Sequence, residues 1–291
     1  MTVIAAHASR ATAAWRASDL SFRLVVVAGL VLLTVAALAP WLAPFDPDQQ
    51  TLLARLSPPV GFEGAKAGHW LGTDELGRDI LSRGLHALRI TLGIGMAGAS
   101  LGMLLGLTLG LIAGLKGGLV DDLVAGAIDI QIALPFTLLA LLAVAIFGGD
   151  LTVLIVVLGI AGWETFARVV RGEVMKLRGQ PFIEAALAAG ASPWRIATRH
   201  LLPNLVSPLV VMFALSFSQI VLLESTLSFL GLGVRPPTAT LGSMVGQGRD
   251  YMPSAPWLVV VPSLLVLLVT LVVQLLGDSL RDRTDIRLRQ R

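Results

Sequence analysis

Six long apolar runs organise this chain, and their lengths predict membrane-spanning helices. The first, residues 24–43, has Thr34 as its only polar side chain and matches the roughly 20 residues that cross a bilayer. A secretory signal is the alternative, but its apolar core is shorter, about 7–15 residues. Pro40 and Trp41 follow the possible cleavage site, so we favour an uncleaved helix. The other runs lie near residues 90–114, 119–147, 151–171, 205–225 and 257–277.

Basic residues are distributed unequally among the connections between these runs. With the amino terminus inside, fifteen of the 22 Lys and Arg residues fall on the cytoplasmic side, which is the bias known for cytoplasmic loops. Thr73 or Asp74 is expected to cap a helix beginning at Glu75 on the outer side. The predicted organisation is a cytoplasmic segment 1–23, a first transmembrane helix 24–43, an extracytoplasmic loop 44–88, a five-helix core 89–277 with a cytoplasmic loop 172–204, and a basic cytoplasmic tail 278–291.

Composition agrees with a protein built for lipid. Hydrophobic residues make up 55% of the chain and charged residues 14%, against about 25% charged in soluble domains. The absence of cysteine excludes disulfides, Cys-ligated zinc and thiol catalysis. The net charge of +3 comes from basic residues in short segments between apolar runs. We therefore expect contact with membrane lipid and no nucleic-acid partner.

Glycine recurs at every fourth position of the second span. Small residues at this spacing line one helix face and allow close helix packing in lipid. The stretch Gly93-Ile-Gly95-Met-Ala-Gly98 also matches a dinucleotide fingerprint, but that motif needs a preceding strand, so we interpret it as packing. The predicted packing residues are Gly98, Gly102, Gly106, Gly110 and Gly114.

The cytoplasmic loop 172–204 carries start and stop signals for two short helices. Pro181 suits a first helical turn, Gly190 a helix end, and Ser192-Pro193 a second start. Trp194, Ala197 and Leu201 would then share one face, and Leu202-Pro203-Asn204 would end the second helix. An ordinary solvated loop is the alternative. We favour a protruding element that docks in a groove on a partner.

Several motifs here resemble those of one family. Glu184-Ala185-Ala186, Gly190 and Leu202-Pro203 resemble the EAA signature of ABC importer permeases, with His200 at its usual isoleucine position. Residues 69–79 and 224–237 are similar to stretches of the C-type permease of dipeptide, oligopeptide and nickel systems. The resemblance implies an all-α integral membrane protein with six helices of the type I importer kind and a coupling-helix loop that contacts the ATPases through Glu184, Ala185, Ala186, Gly190 and Pro203.

The same resemblance implies a set of partners and a location. We expect a second permease subunit, two ABC ATPase subunits and an extracytoplasmic substrate-binding protein, in a bacterial inner membrane with both termini cytoplasmic. No Gly-x-x-x-x-Gly-Lys-Ser/Thr motif occurs in the sequence, so this chain has no P-loop. We expect it to bind no cofactor, with ATP and Mg on the partner ATPases. The expected activity is peptide translocation by alternating access, although nickel and glutathione-like solutes use similar permeases.

Polar residues within the spans are candidates for a translocation path, because such groups usually face the protein interior or water. The alternative for each is interhelical hydrogen bonding or a helix-end position, and for Glu224 a gate or loop anchor is favoured over substrate contact. The four histidines are scattered, and no metal site is expected. The path candidates are Asp129, Gln131, Glu164, Gln219 and Glu224.

Two other classes of function remain as alternatives. A self-sufficient secondary transporter often shows internal repeats, and none is clear in this sequence. An intramembrane enzyme needs a nucleophile–base or metal set among the spans, and Asp129 with Glu164 is the only plausible carboxylate pair.

Overall fold

The computed structural model describes residues 20–284, with side chains described to residue 281. The predictions for most of the amino-terminal segment and for the end of the basic tail lie outside these residues. Between residues 20 and 284 the chain is helical without β-strands, which confirms the predicted all-α class. The principal helices are α1 Leu20–Ala37, α2 Ile80–Lys116, α3 Gly118–Ala133, α4 Phe136–Phe147, α5 Leu151–Ala161, α6 Trp163–Arg178, α7 Pro181–Ala188, α8 Pro193–Phe229, α9 Leu241–Gly248 and α10 Trp257–Thr284.

Three shorter turns complete the described helical structure, and α8 is built from three parts. The short turns are Ala39–Leu42, Leu52–Ala54 and Arg249–Tyr251. The parts of α8 are Pro193–Ile196, a π-helical turn Ala197–Leu201, and Leu202–Phe229.

Within residues 20–284, five helices, counting α5–α6 as one, are long and apolar enough to cross a membrane. They are α1, α2, α5–α6, α8 and α10, and the bent pair α3–α4 makes a sixth if counted as one span. The apolar run predicted as a span near 119–147 is not one straight helix, because its two halves meet at 84°. Leu134 adopts an extended conformation before Pro135. Proline disfavours the helical conformation of its predecessor and lacks the N–H that would continue the ladder.

The predicted end of the second cytoplasmic helix at Leu202-Pro203-Asn204 is also wrong. Pro193–Phe229 runs as one 37-residue helix. The π-helical turn widens the helix just before Pro203, and π-turns of this kind occur as single insertions within α-helices. The side-chain amide of Asn204 donates to the carbonyl of His200 at 2.6 Å, so a carbonyl in this widened region has a partner.

The helix expected to begin at Glu75 begins instead at Ile80. Asp79 is its N-cap, and its carboxylate accepts from the Ser82 amide at 2.8 Å. Asp74 holds the preceding turn, accepting from the amides of Leu76 and Arg78 at 2.9 and 2.8 Å. Local capping signals allow either aspartate to start a helix, and the side-chain contacts of the folded loop select the later one.

Helix α2 lies at the centre of the bundle and packs along α6, α5 and α8. Its five repeating glycines are buried on the face towards these helices. A Cβ at Gly102 would lie 2.9 Å from the carbonyl oxygen of Gly159, and one at Gly110 would lie 2.7 Å from that of Ala167. At Gly98 the nearest atom would be Ile220 Cδ1 at 3.1 Å, and at Gly114 it would be Val174 Cγ1 at 2.6 Å. Gly102 and Gly110 therefore let the α2 backbone approach the backbone of the α5–α6 pair directly.

Candidate coupling element and polar positions in the spans

The segment 181–201 forms two helical pieces joined by a tight turn, as the sequence predicted. Helix α7 ends in a Schellman motif: the Ala191 amide donates to the Ala186 carbonyl at 3.0 Å, and the Gly190 amide donates to the Leu187 carbonyl at 2.9 Å. Gly190 has φ +79°, a left-handed conformation that favours glycine. The hydroxyl of Ser192 then accepts from the Arg195 amide at 3.3 Å and caps the start of α8.

This element is seated on the bundle through its inner face. Ile183 and Ile196 are 1% and 3% exposed, and they belong to an apolar cluster with Val170 and Val174 of α6 and Leu205 of α8. Because α6 leads into α7 through Gly179 and Gln180, the element is joined to α6 both covalently and by packing.

The outer face of the element is exposed. Glu184, Ala185 and Pro203 are exposed, and Ala186 is half-buried. The sequence placed Trp194 with Ala197 and Leu201 on one face, but the structure separates them, since Trp194 is 77% exposed whereas Ala197 and Leu201 are buried. The π-turn begins at Ala197 and changes the angular spacing of the residues that follow it. Phe182 and Leu187 of α7 are also exposed, so the helix that carries Glu184 presents apolar side chains as well.

Polar side chains of α3 and α6 form two neighbouring groups. The Gln131 amide nitrogen donates to the carbonyls of Ile160 and Ala161 at 3.0 and 3.2 Å and lies 3.2 Å from a carboxylate oxygen of Glu164. The indole N–H of Trp163 donates to the Gln131 side-chain oxygen at 2.7 Å. These contacts fill the space beside the break between α5 and α6.

The second group lies further along α6. Asp129 and Arg168 approach to 3.9 Å, and their side chains are 79% and 57% exposed. Asp129 and Glu164 therefore face different partners, the first a guanidinium and the second an amide. Gln219 is exposed on α8.

Glu224 differs from these residues because it is fully buried. One of its carboxylate oxygens accepts from the hydroxyls of Ser228 and Thr240, both at 2.7 Å. Thr240 caps α9 in a capping box with Ser243. The amide of Leu241, the first residue of α9, donates to the Thr91 hydroxyl at 3.0 Å. Glu224 thus ties the C-terminal part of α8 to the start of α9 beside α2.

Comparison with known proteins places the chain among transport proteins. Residues 106–286 match the family described as the inner membrane component of binding-protein-dependent transport systems. The chain belongs to this family. Residues 23–59 also match the N-terminal transmembrane domain of oligopeptide transport permease C. These matches confirm the resemblance read from the EAA-type motif and the segments around it.

Three relatives of the permease cover most of its length. The di/tripeptide transport system permease protein of Pseudomonas aeruginosa is 40% identical over 89% of this chain and 86% of its own length. The dipeptide permease of Haemophilus influenzae is 37% identical over 90% of this chain and 88% of its own. The glutathione permease of Pectobacterium atrosepticum is 40% identical, with coverage of 91% and 87%.

A solved structure shares the fold of this permease. The MetNI methionine ABC transporter, in its inward facing conformations, has a chain that matches with a TM-score of 0.58 and 20% identity, covering 69% of this chain and 96% of that chain. This likeness supports the fold of an ABC importer permease. With the family match, it identifies a multi-pass protein of the bacterial inner membrane.

Two groups of interacting residues in the permease were not found from the sequence. Arg171 forms a two-pronged ion pair with Asp121 near the start of α3, with one N–H···O distance of 2.7 Å. The two residues are 50 positions apart, so helical spacing gives no signal for the pair. The carboxylate of Asp74 contacts both Arg78 and Arg83, and Arg83 also donates to Gln247 at 3.1 Å.

Proposed function

We propose that this chain is the transmembrane permease subunit of an ATP-binding cassette importer that translocates dipeptides and oligopeptides into the cell. The observation that carries the proposal is the exposed element 181–201, capped at Gly190 and seated on α6. The names of the relatives support the substrate class, since two are named for di- or tripeptides and one for glutathione, itself a tripeptide.

The proposed assembly contains four kinds of subunit. This chain pairs with a second permease, and two ABC ATPases bind the cytoplasmic elements of the pair. A substrate-binding protein docks on the outer face. ATP and Mg are held by the ATPases, because this sequence contains no P-loop. The chain itself therefore has no catalytic residues.

The coupling role belongs to Glu184, Ala185, Ala186, Gly190 and Pro203. Exposed apolar side chains on the helix that carries Glu184 suit a groove on a partner, as helix-in-groove recognition requires. Closure of the ATPases on ATP moves this element and α6 with it, and the spans tilt to open the path outward. Hydrolysis resets the path inward. The ATPases must bind the inward-open and outward-open states with different free energies, since a partner that binds both states equally does not change their populations.

The proposed translocation path follows the polar face of α3 and α6. Exposed charges are costly against lipid, so Asp129 and Arg168 face a water-filled path or the second permease, and the half-buried Glu164 lies on the same side of α6. Gln131 and Gln219 add uncharged polar groups. A path with both carboxylates and a guanidinium suits a zwitterionic peptide. We assign Glu224 to anchoring the outer loop, because its side chain is buried and its partners are hydroxyls.

The proposed orientation places both termini in the cytoplasm. It rests on the bias of Lys and Arg towards the segments on that side. The element 181–201 then lies in the cytoplasm, where ATPases bind, and the polar network around Asp74 lies outside. Reporter fusions at exposed loop positions on the two sides test this orientation directly.

A reconstituted complex tests the function as a whole. The chain is co-purified with the second permease and the ATPases, placed in vesicles and supplied with the loaded binding protein, ATP and a radiolabelled dipeptide. We expect uptake that needs ATP and that is lost with Glu184→Arg, while Thr34→Val, a change on the exposed face of α1, retains it. Uptake that persists without the ATPases would refute the importer assignment and favour a secondary transporter. Competition by unlabelled tripeptide, glutathione or nickel identifies the solute class.

A further inference from the structure

The side chain of Gln131 links two helix breaks, the one between α3 and α4 and the one between α5 and α6. Helix α3 ends at Ala133, two residues before Pro135, and α5 ends at Ala161 before Gly162. The Gln131 side chain lies between these breaks. Its nitrogen donates to the last carbonyls of α5, those of Ile160 and Ala161. Its oxygen accepts from Trp163, the first residue of α6.

Gln131 therefore satisfies polar groups that the break exposes. Backbone groups at membrane depth need partners inside the protein, since lipid offers none. The side-chain amide can do this because it carries two donors and an acceptor. A carboxylate at the same position would accept from Trp163 but could not donate to the two carbonyls, and it would add charge beside Glu164.

Helix α3 is held to α6 at a second point as well. The ion pair between Arg171 and Asp121 joins the start of α3 to the half of α6 that leads to the coupling element. With Gln131 near the other end of α3, the helix is fixed to α6 at both ends. The exposed Asp129–Arg168 contact lies between these two points along each helix.

We propose that Gln131 is a positioning residue that couples α3 to the break between α5 and α6, so that movement of the coupling element carries the polar face of the path with it. This inference rests on the proposed transport function and deepens it. Gln131 acts through Trp163 and the two carbonyls, without the need to touch the solute.

The test compares three variants in the reconstituted complex. Gln131→Met keeps the length of the side chain and removes all its hydrogen bonds, Gln131→Glu removes the donors and adds a charge beside Glu164, and Trp163→Phe removes the indole donor together with part of the ring. Gln274→Met is the matched control in α10, where the side chain of Gln274 makes no hydrogen bond within residues 20–281. Uptake of a radiolabelled dipeptide and ATP hydrolysis are measured together, with and without the loaded binding protein.

We expect uptake per ATP hydrolysed to fall about three- to tenfold in Gln131→Met, the range that corresponds to the net contribution of about one hydrogen bond. Stimulation of hydrolysis by the loaded binding protein should fall with it, while basal hydrolysis and assembly persist. Combining Gln131→Met with Trp163→Phe should add little, because the two residues share one interaction. Gln131→Glu should resemble Gln131→Met, and Gln274→Met should match the wild type.

Two results would overturn the inference. One is a wild-type ratio of uptake to hydrolysis in Gln131→Met. The other is a loss of uptake, hydrolysis and complex yield in equal proportion, because a purely structural role predicts that pattern. Absence of ATP-dependent uptake in the wild type would instead overturn the proposed function and this inference with it, so the two failures are distinguishable.

Discussion

Replacing Gly106 by alanine would place a methyl group in the closest contact between α2 and α6. The new Cβ would collide with the carbonyl oxygen of Trp163, and it would lie 2.5 Å from Phe166 Cβ and 2.8 Å from the Ala167 amide nitrogen. Two of these three neighbours are backbone atoms and cannot rotate away. The two helices must therefore separate, or the substituted protein must unfold more readily.

The expected magnitude follows from two opposing effects. Overpacking of a well-packed core costs about 1–3 kcal/mol, and backbone neighbours place Gly106→Ala near the upper end. Alanine in a helix is about 1 kcal/mol more favourable than glycine. The net loss is then about 2 kcal/mol, or roughly 30-fold in the unfolding equilibrium constant.

Gly93→Ala on the same helix is the matched control. A Cβ there would have no atom of the described residues within 4 Å beyond its own helical turn. Only the gain in helix propensity, about 1 kcal/mol, remains for this variant. The two alanine variants should differ by about 3 kcal/mol in their free energy of unfolding. The gain in helix propensity is the same for both, so the difference is the overpacking cost, which arises only at Gly106.

Equilibrium unfolding of the purified chain in mild detergent, titrated with a denaturing detergent, measures this difference. Fluorescence-detected size-exclusion chromatography after heating gives an independent ranking of the same variants. Equal stability of the two alanine variants would refute the reasoning, because it would mean that α2 and α6 do not approach at Gly106 as described.

Three further predictions concern separate contacts. Gly190→Val should weaken binding of the ATPases about 5- to 30-fold, because a left-handed residue other than glycine costs about 1–2 kcal/mol. Gly172→Val, at an exposed position of α6, should leave this binding unchanged. A binding titration with purified ATPase measures both variants. Glu224→Leu should destabilise the outer loop by about 1–3 kcal/mol by leaving two buried hydroxyls without their acceptor, and faster amide hydrogen exchange at the start of α9, with exchange in α7 unchanged, would detect it. Asp121→Arg should reduce the folded yield, and the exchanged pair Asp121→Arg with Arg171→Asp should restore it; failure of this rescue in size-exclusion profiles would show that the ion pair is dispensable.

Local signals in the sequence were sufficient for the coupling element and for most spans. Pro181, Gly190 and Ser192 each act through the backbone of their own turn, so their effect can be read without knowing the fold. The apolar runs also predict spans without knowledge of the fold, because a span is recognised by its length relative to the thickness of the bilayer. The repeating glycines indicated close packing but not the partner helices, which the fold identifies as α8 at Gly98, α5 at Gly102 and α6 at the three glycines that follow.

The features missed from the sequence depend on context. The Leu134-Pro135 break had a local signal, but the apolar run across it dominated the interpretation. At Pro203 the proline was interpreted as a helix end, but the helix continues. A π-turn before the proline and the Asn204 side-chain amide allow the helix to pass through it. The contact between Gln131 and Trp163 joins residues 32 positions apart and follows no helical period.

The two ends of the permease are linked by helix α8. It begins inside the coupling element and continues without interruption to Glu224, about 46 Å away at 1.5 Å per residue. Glu224 is tied to Thr240 and so to the start of α9. Helix α6 leaves the same element but ends at the break beside Gln131. Under the proposed transport mechanism, we expect a displacement of the element to pass along α8 towards α9, whereas along α6 it can be taken up as bending at Gly162. Such unequal responses would let one movement close one side of the proposed path while opening the other.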